Sequence, residues 1–134
     1  MTRRGIRNNN PGNIRHGQKW QGLAQVQTDN EFCVFSRPEY GIRALCRTLR
    51  TYQRKYGLRD VRSIINRFAP PVENDTESYI KDVCMKLDVK PDTPIDLDEK
   101  GIMVNMLKAI IRHENREQPY TDKQILYGIE LERA

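Results

Sequence analysis

The segment VNMLKAIIRHENREQPYT places an acid at the end of an apolar helical stripe. Met103, Met106, Leu107, Ile110 and Ile111 recur at the three-and-four spacing of one helix face, and the next position on that face is Glu114. Two arrangements fit this pattern. Either the helix frays at residue 113 and leaves Glu114 in water, or the carboxyl sits at the lip of the core. In the second arrangement burial favours the protonated form, which can act as a general acid. Cleavage of a glycosidic bond needs such an acid to protonate the leaving oxygen.

Other residues carry polar chemistry at suggestive places. In FAPPVENDTESYI, Glu73 and Asp75 precede a helix start, where carboxylates cap exposed amides and favour the dipole, and Tyr79 lies one turn further on. Asn10-Pro11-Gly12-Asn13 is strong turn chemistry, and Asn13 is placed to offer its amide to a polar ligand. Trp20, the single tryptophan, is either a partly packed core cap or a platform for a sugar or base face. Arg43, Arg47, Arg50 and Arg54 follow one another in steps of four, three and four, so one helix face carries four guanidiniums with no interleaved acid. That stripe is a candidate polyanion contact. No base-reading motif accompanies it. HExxH, P-loop and dinucleotide fingerprints are absent and there are only two histidines, so no metal or cofactor is expected.

The elements that would position these residues can be read from periodicity and punctuation. Residues 1–22 read as an ordered loop region rich in Asn, Gly and Arg. LAQVQT and EFCVF alternate in hydrophobicity about Asp29-Asn30, which predicts a β-hairpin over 23–36 with a type I′ turn. Helices are predicted over 38–132. The first runs from Pro38 to Tyr56 and is ended by Gly57; a short one is capped by Asp60 and stopped by APP. A third buries Ile80, Val83, Cys84 and Leu87, the Glu114 helix follows, and a last helix opens on the capping box Thr121/Gln124. The expected class is α+β, mainly α, as one domain over 1–134.

Composition narrows the partners. A net charge of +5 and a pI near 9.2 favour an anionic partner: nucleic acid, anionic lipid or cell wall. No apolar run approaches the roughly 18 residues of a membrane span. MTRRGIRNNN carries charge without an apolar core segment, so no signal peptide is expected and the chain is expected to be made in a cytoplasm. Cys33, Cys46 and Cys84 lack metal-ligand spacing and read as reduced, buried thiols.

Taken as an ordered set, NNNPGNIRHGQKWQG, the hairpin, FCVFSRPEYGIRALCRTLRTY and FAPPVENDTESYI resemble small phage virion or prophage proteins of the lysozyme-like superfamily, over roughly residues 5–90. The order is also similar to bacterial cell-wall glucosaminidases and lytic transglycosylases. Asn9 to Arg15 matches their asparagine-rich element, Trp20 with Gly22 their W-x-G, Phe32 and Phe35 their strand, and Tyr79 lies near their tyrosine segment. In the glucosaminidases the catalytic glutamate precedes the asparagine element, whereas here eight residues precede Asn9 and none is acidic. A circular permutation would move the acid-bearing helix to the other end and make Glu114 the acid. The family follows that glutamate with Ser-Gly or Asn-Gly, and here Asn115 is followed by Arg116, which would fill the groove or change the substrate.

The resemblance implies a lysozyme-like helical domain that cleaves the β-1,4 bonds of peptidoglycan as a lysozyme or lytic transglycosylase. Glu114 would be the general acid. Tyr79 with Asp75 or Glu73 would orient water or stabilise charge, and Asn10, Asn13 and Trp20 would hold sugar. Such a bacteriophage protein would be virion-associated, or act on the wall after lysis or injection, with peptidoglycan and phage virion proteins as partners. Two alternatives stand beside it: a non-catalytic phage protein that binds wall or a protein on the same scaffold, and a nucleic-acid binder using the arginine stripe.

Overall fold

The computed structural model describes residues 3–72 and 74–134. Its helices are α1 (Arg4–Arg7), α2 (Pro38–Tyr56), α3 (Val61–Phe68), α4 (Thr76–Leu87), α5 (Lys100–Asn115) and α6 (Asp122–Arg133). The protein is mainly helical, and local chemistry sets most of the helix ends. Pro38 opens α2 and Gly57, at φ 67°, closes it in the left-handed region. Asp60 caps α3 by accepting from the Ser63 N–H, and Asp75 caps α4 by accepting from Ser78. At α6 both halves of the Thr121/Gln124 capping box form. The N-terminal region is not all loop, because α1 occupies four of its residues.

One main core holds the helices together. Met103, Met106, Leu107, Ile110 and Ile111 of α5 are fully buried, packed with Ile42, Leu45 and Leu49 of α2, Ile80 and Val83 of α4, and Ile125 and Ile129 of α6. Burying each such side chain contributes about 1.5–3 kcal/mol of transfer free energy. The stripe therefore fixes α5 strongly, and the helix continues to Asn115 instead of fraying at residue 113. A satellite cluster of Cys33, Phe35 and Ala44, with Trp20, Leu23 and Tyr40 around it, pins the irregular segment to α2.

The predicted hairpin is replaced by something looser. Among the described residues, antiparallel pairing is confined to two isolated bridges, Arg15 with Phe32 and Leu23 with Phe35. The reason is that side chains take ladder positions. Gln27 accepts from the Val34 N–H and donates to the Val34 carbonyl, both at 2.8 Å. Asp29 and Asn30 are not among the residues with positive φ, so they form no type I′ turn; instead Asp29 Oδ1 accepts from the N–H groups of Glu31 and Phe32. Its carboxylate also takes Arg4 Nε at 2.6 Å and Asn8 Nδ2 at 3.0 Å. The Arg4 guanidinium holds the Asp29 carboxyl well below the usual carboxylate range.

Candidate functional site: a carboxylate groove

Every asparagine of NNNPGN has its own task. Asn8 reaches Asp29, and Asn9 Nδ2 donates to the Phe35 carbonyl at 3.0 Å. Asn10 is fully buried; it donates to the carbonyls of Ile14 and Cys33 and accepts from the Ile14 N–H, all at 2.9 Å. Its amide is thus consumed in shaping the loop, which removes it as a sugar contact. Asn9 and Asn13 have φ near 50°, a region asparagine enters at low cost. At residue 41, glycine lets this loop lie directly on α2, where a Cβ would collide with the Asn9 carbonyl. The result is that Asn13 turns toward the end of α5.

There it meets Glu114. Asn13 Nδ2 donates to Glu114 Oε1 at 2.9 Å, and the Tyr79 hydroxyl donates to Oε2 at 2.8 Å. The helix end is tied to the loop as well, because Asn115 Nδ2 donates to the Pro11 carbonyl at 2.8 Å. Tyr79 is 1 % exposed and stacks on His113, with ring centroids 3.7 Å apart. His113 Nδ1 lies 2.9 Å from Asp82 Oδ2. Thr76 anchors the start of α4 by donating to the Ala69 carbonyl at 2.7 Å. Elements from both ends of the chain and from its middle converge on one carboxylate.

Glu114 is half-buried and opens into a groove of about 690 Å³, within the usual range for ligand sites. Trp20, Phe32, Tyr52 and Phe68 give it aromatic walls, and Arg15, His16 and Gln18 a polar rim. Among the described residues lining it, Glu114 is the one carboxylate. Hollows of similar volume lie elsewhere on the surface, so size does not single this one out. The convergent donors do. Trp20 packs on the satellite cluster, as a partly packed core cap, and also lines the groove.

Not every expected residue joins the site. Asp75 is an α4 cap and does not line the groove; Glu73 lies outside the described residues. Arg116 adopts φ 60° at the end of α5 and turns to a different hollow, so it does not fill this groove. Tyr52, Phe68, Asn115 and the His113–Tyr79 stack were not anticipated. Asn115 had a signal, as the small polar residue beside the candidate acid; the others depend on contacts distant in sequence.

The arginine stripe differs most from its expectation as an exposed cationic face. Arg50 is 4 % exposed in its side chain. Its Nε lies 2.7 Å from Glu132 Oε1, within ion-pair distance though off the N–H direction, and its Nη1 donates to Asp98 at 2.5 Å. Arg47 pairs with Glu132 and Arg54 with Asp98, each at 2.9 Å, while Arg43 is half-buried. The missing acids come from α6 and the loop before α5. Cys46 sits against this cluster, and burial pushes its thiol up to about 11; Cys33, Cys46 and Cys84 are all free and buried.

The phenols make the fold sensitive to alkali. Burial, then the charge of Glu114, pushes Tyr79 well above its ordinary value, and burial pushes Tyr120 up to about 12. Unfolded tyrosines ionise near pH 10. Between pH 10 and 12 the unfolded chain therefore releases protons that the folded one keeps. The tyrosine contribution is complete below pH 10 and falls as pH rises through that window, on top of a decline that the buried thiols begin near pH 9. Denaturant midpoints measured from pH 9 to 12 should drop, and Tyr79→Phe should flatten the decline. An unchanged slope in that variant would exclude Tyr79 as a contributor.

Fold and site together define a small, mainly helical protein built around one carboxylate in an aromatic groove. No family model matches the chain. It is, however, 43% identical over 131 residues to Protein P5 of Pseudoalteromonas phage PM2, a match covering 95% of this chain and 80% of that protein. The chain belongs to the family of that phage protein. No helix among the described residues is long and apolar enough to cross a membrane.

Proposed function

We propose that this phage-family protein cleaves the glycan strands of peptidoglycan at the β-1,4 bond, on a lysozyme-like scaffold, with Glu114 as general acid. The observation that carries the reading is the carboxyl of Glu114 held by Tyr79 and Asn13 at the wall of an open aromatic groove. Glu114 gives its proton to the glycosidic oxygen, the C1–O bond breaks, and the sugar ring is left electron-poor. Water, or a hydroxyl of the same sugar, then attacks C1 and returns a proton to Glu114. Trp20 and Tyr52 line the groove with aromatic carbon against which sugar rings would pack. The protein's positive charge draws it to an anionic wall, more strongly at low salt. In this reading it is carried by the virion, or reaches the wall by injection or lysis.

Incubation with purified sacculi tests the proposal. Soluble fragments should appear, with reducing ends if water attacks and anhydro ends if the sugar's own hydroxyl does. Sacculi that bind the protein and release nothing would move the assignment to a non-catalytic wall binder.

A second reading, polyanion binding, is favoured by a different surface from the arginine stripe. Lys108 and Arg112 follow one another along α5 at a step of about 6 Å, Arg116 sits just past its C-terminal end, and Lys86 faces them across the same hollow, which Asp82 also lines. Arg112 and Arg116 make no ion pair among the described residues, while Lys108 is hydrogen-bonded to Asp122 and holds its carboxyl below the usual range. If this face binds single-stranded nucleic acid, Arg112→Ala with Arg116→Ala should lower the slope of log K against log salt by about 1.4, from two lost phosphate contacts. Arg47→Ala should leave it unchanged. Equal effects from the two sets would sink the distinction.

A further inference from the structure

Two acceptors beside Glu114 have no donor among the described residues: Oδ1 of Asn13 and Oδ1 of Asn115. Both oxygens are buried, and Asn115 as a whole is 1 % exposed. They converge on one place. A Cβ at residue 5 would lie 2.9 Å from Asn13 Oδ1 and closer still to Asn115 Oδ1, so glycine is required there. An amide that leaves its oxygen unsatisfied in such a spot, next to a second unsatisfied oxygen, has a better orientation available in some state of the site.

The other side of the Asn13 amide shows which state. Asn13 Nδ2 and the Tyr79 hydroxyl both donate to Glu114, one to each oxygen. Two donors suit a carboxylate, which only accepts. A carboxylic acid must itself donate. Tyr79 keeps its proton and stays on Oε2, so the acid proton falls on Oε1, where it faces an NH₂ group. Rotation of the Asn13 amide by half a turn removes the clash. Its Oδ1 then accepts from Glu114, and its Nδ2 turns inward toward Asn115 Oδ1. The reversal preserves shape, gives the acid an acceptor and turns a donor toward the side where Asn115 Oδ1 lies unsatisfied.

The geometry points to Asn13 as a positioning residue whose amide reverses with the proton on Glu114, offering an acceptor to the acid and a donor to the carboxylate. This rests on the reading of Glu114 as a general acid, because the acid must be held both before and after it gives up its proton. The other groups around the pair are Tyr79 from α4, His113 stacked on Tyr79 with Asp82 behind it, and Arg15 and His16 on the rim of the groove. Only Asn13 and Tyr79 hydrogen-bond the Glu114 carboxylate among the described residues.

Nuclear magnetic resonance of the isotope-labelled full chain tests the inference without any substrate. The titration of Glu114 is followed at its carboxyl carbon, and the position of the Asn13 NH₂ through contacts with the Gly5 α-protons. These contacts should be strong at the acid end of the Glu114 titration and weaken several-fold as it ionises. In Glu114→Gln, the glutamine NH₂ faces Asn13 permanently, and the Gly5 contacts should persist at every pH. Contacts that ignore the Glu114 titration, or are the same in Glu114→Gln as in the ionised wild type, overturn the reversal. Asn13→Asp, which also tolerates the left-handed backbone, cannot donate to the carboxylate. It should place two carboxyls around one proton and shift the Glu114 titration upward by a unit or more; no shift would count against the contact itself. An amide that reverses in a protein inert on sacculi would leave this inference standing and remove the glycosidase reading, and the opposite result would do the reverse.

Discussion

Glu114→Gln should lower the release of soluble fragments from purified sacculi by about 10²–10⁴-fold, the usual share of a general acid. The substitution keeps the size and shape of the side chain. The Tyr79 hydroxyl can still donate to the remaining carbonyl oxygen, and the glutamine NH₂ can face Asn13. Circular dichroism and thermal melting should therefore match the parent. The loss should appear in the rate at saturating wall rather than in wall binding, because the proton is needed only as the C1–O bond breaks. A folded variant with full cleavage would remove Glu114 from the chemistry. Tyr79→Phe should have a smaller effect, since it deletes one of two donors and leaves the acid in place.

The second large effect concerns stability. Glu132→Leu leaves the Arg50 guanidinium almost enclosed, with Asp98, itself half-exposed, as its remaining anion. Burial opposes the charge on Arg50, and contacts with Cys46, Glu132 and Asp98 hold it above its ordinary value all the same. Breaking one side of a buried pair typically costs about 3–5 kcal/mol. Here the lower end applies because Asp98 stays. The expected fall in melting temperature is roughly 10 °C. Arg50→Met combined with Glu132→Leu should recover most of it, since two apolar groups of similar volume leave no stranded charge. A single variant within about 0.5 kcal/mol of the parent, as for an ordinary surface change, would show that the pair is solvated.

These two sites also mark how far the sequence could be read. Helix boundaries were legible where the signal is local: Gly57, Asp60, Asp75 and the Thr121/Gln124 box each act within one turn. The apolar stripe of α5 was legible for the same reason, and it pointed to Glu114. Periodicity could not say what faces a given position from elsewhere in the chain. The arginine stripe was counted correctly but its acids, Asp98 and Glu132, come from other elements, so a packed ion network read as an open cationic face. The hairpin of 23–36 is reduced to isolated antiparallel bridging because Gln27 and Asp29 bond the backbone with their side chains, a competition that strand alternation does not register. The four asparagines near the N-terminus advertised a turn. That Asn10 would be consumed inside it while Asn13 would reach Glu114 depends on where α5 lies.

The bond between Asn13 and Glu114 joins residues 101 positions apart. During synthesis the amide emerges early and the carboxylate late. A nascent chain that has reached α4 already carries the asparagine loop and Tyr79 but has no acid to hold. The groove becomes complete only after α5 has been made and has docked. Products interrupted before α5 therefore carry the loop and the tyrosine without the carboxylate that both of them hold.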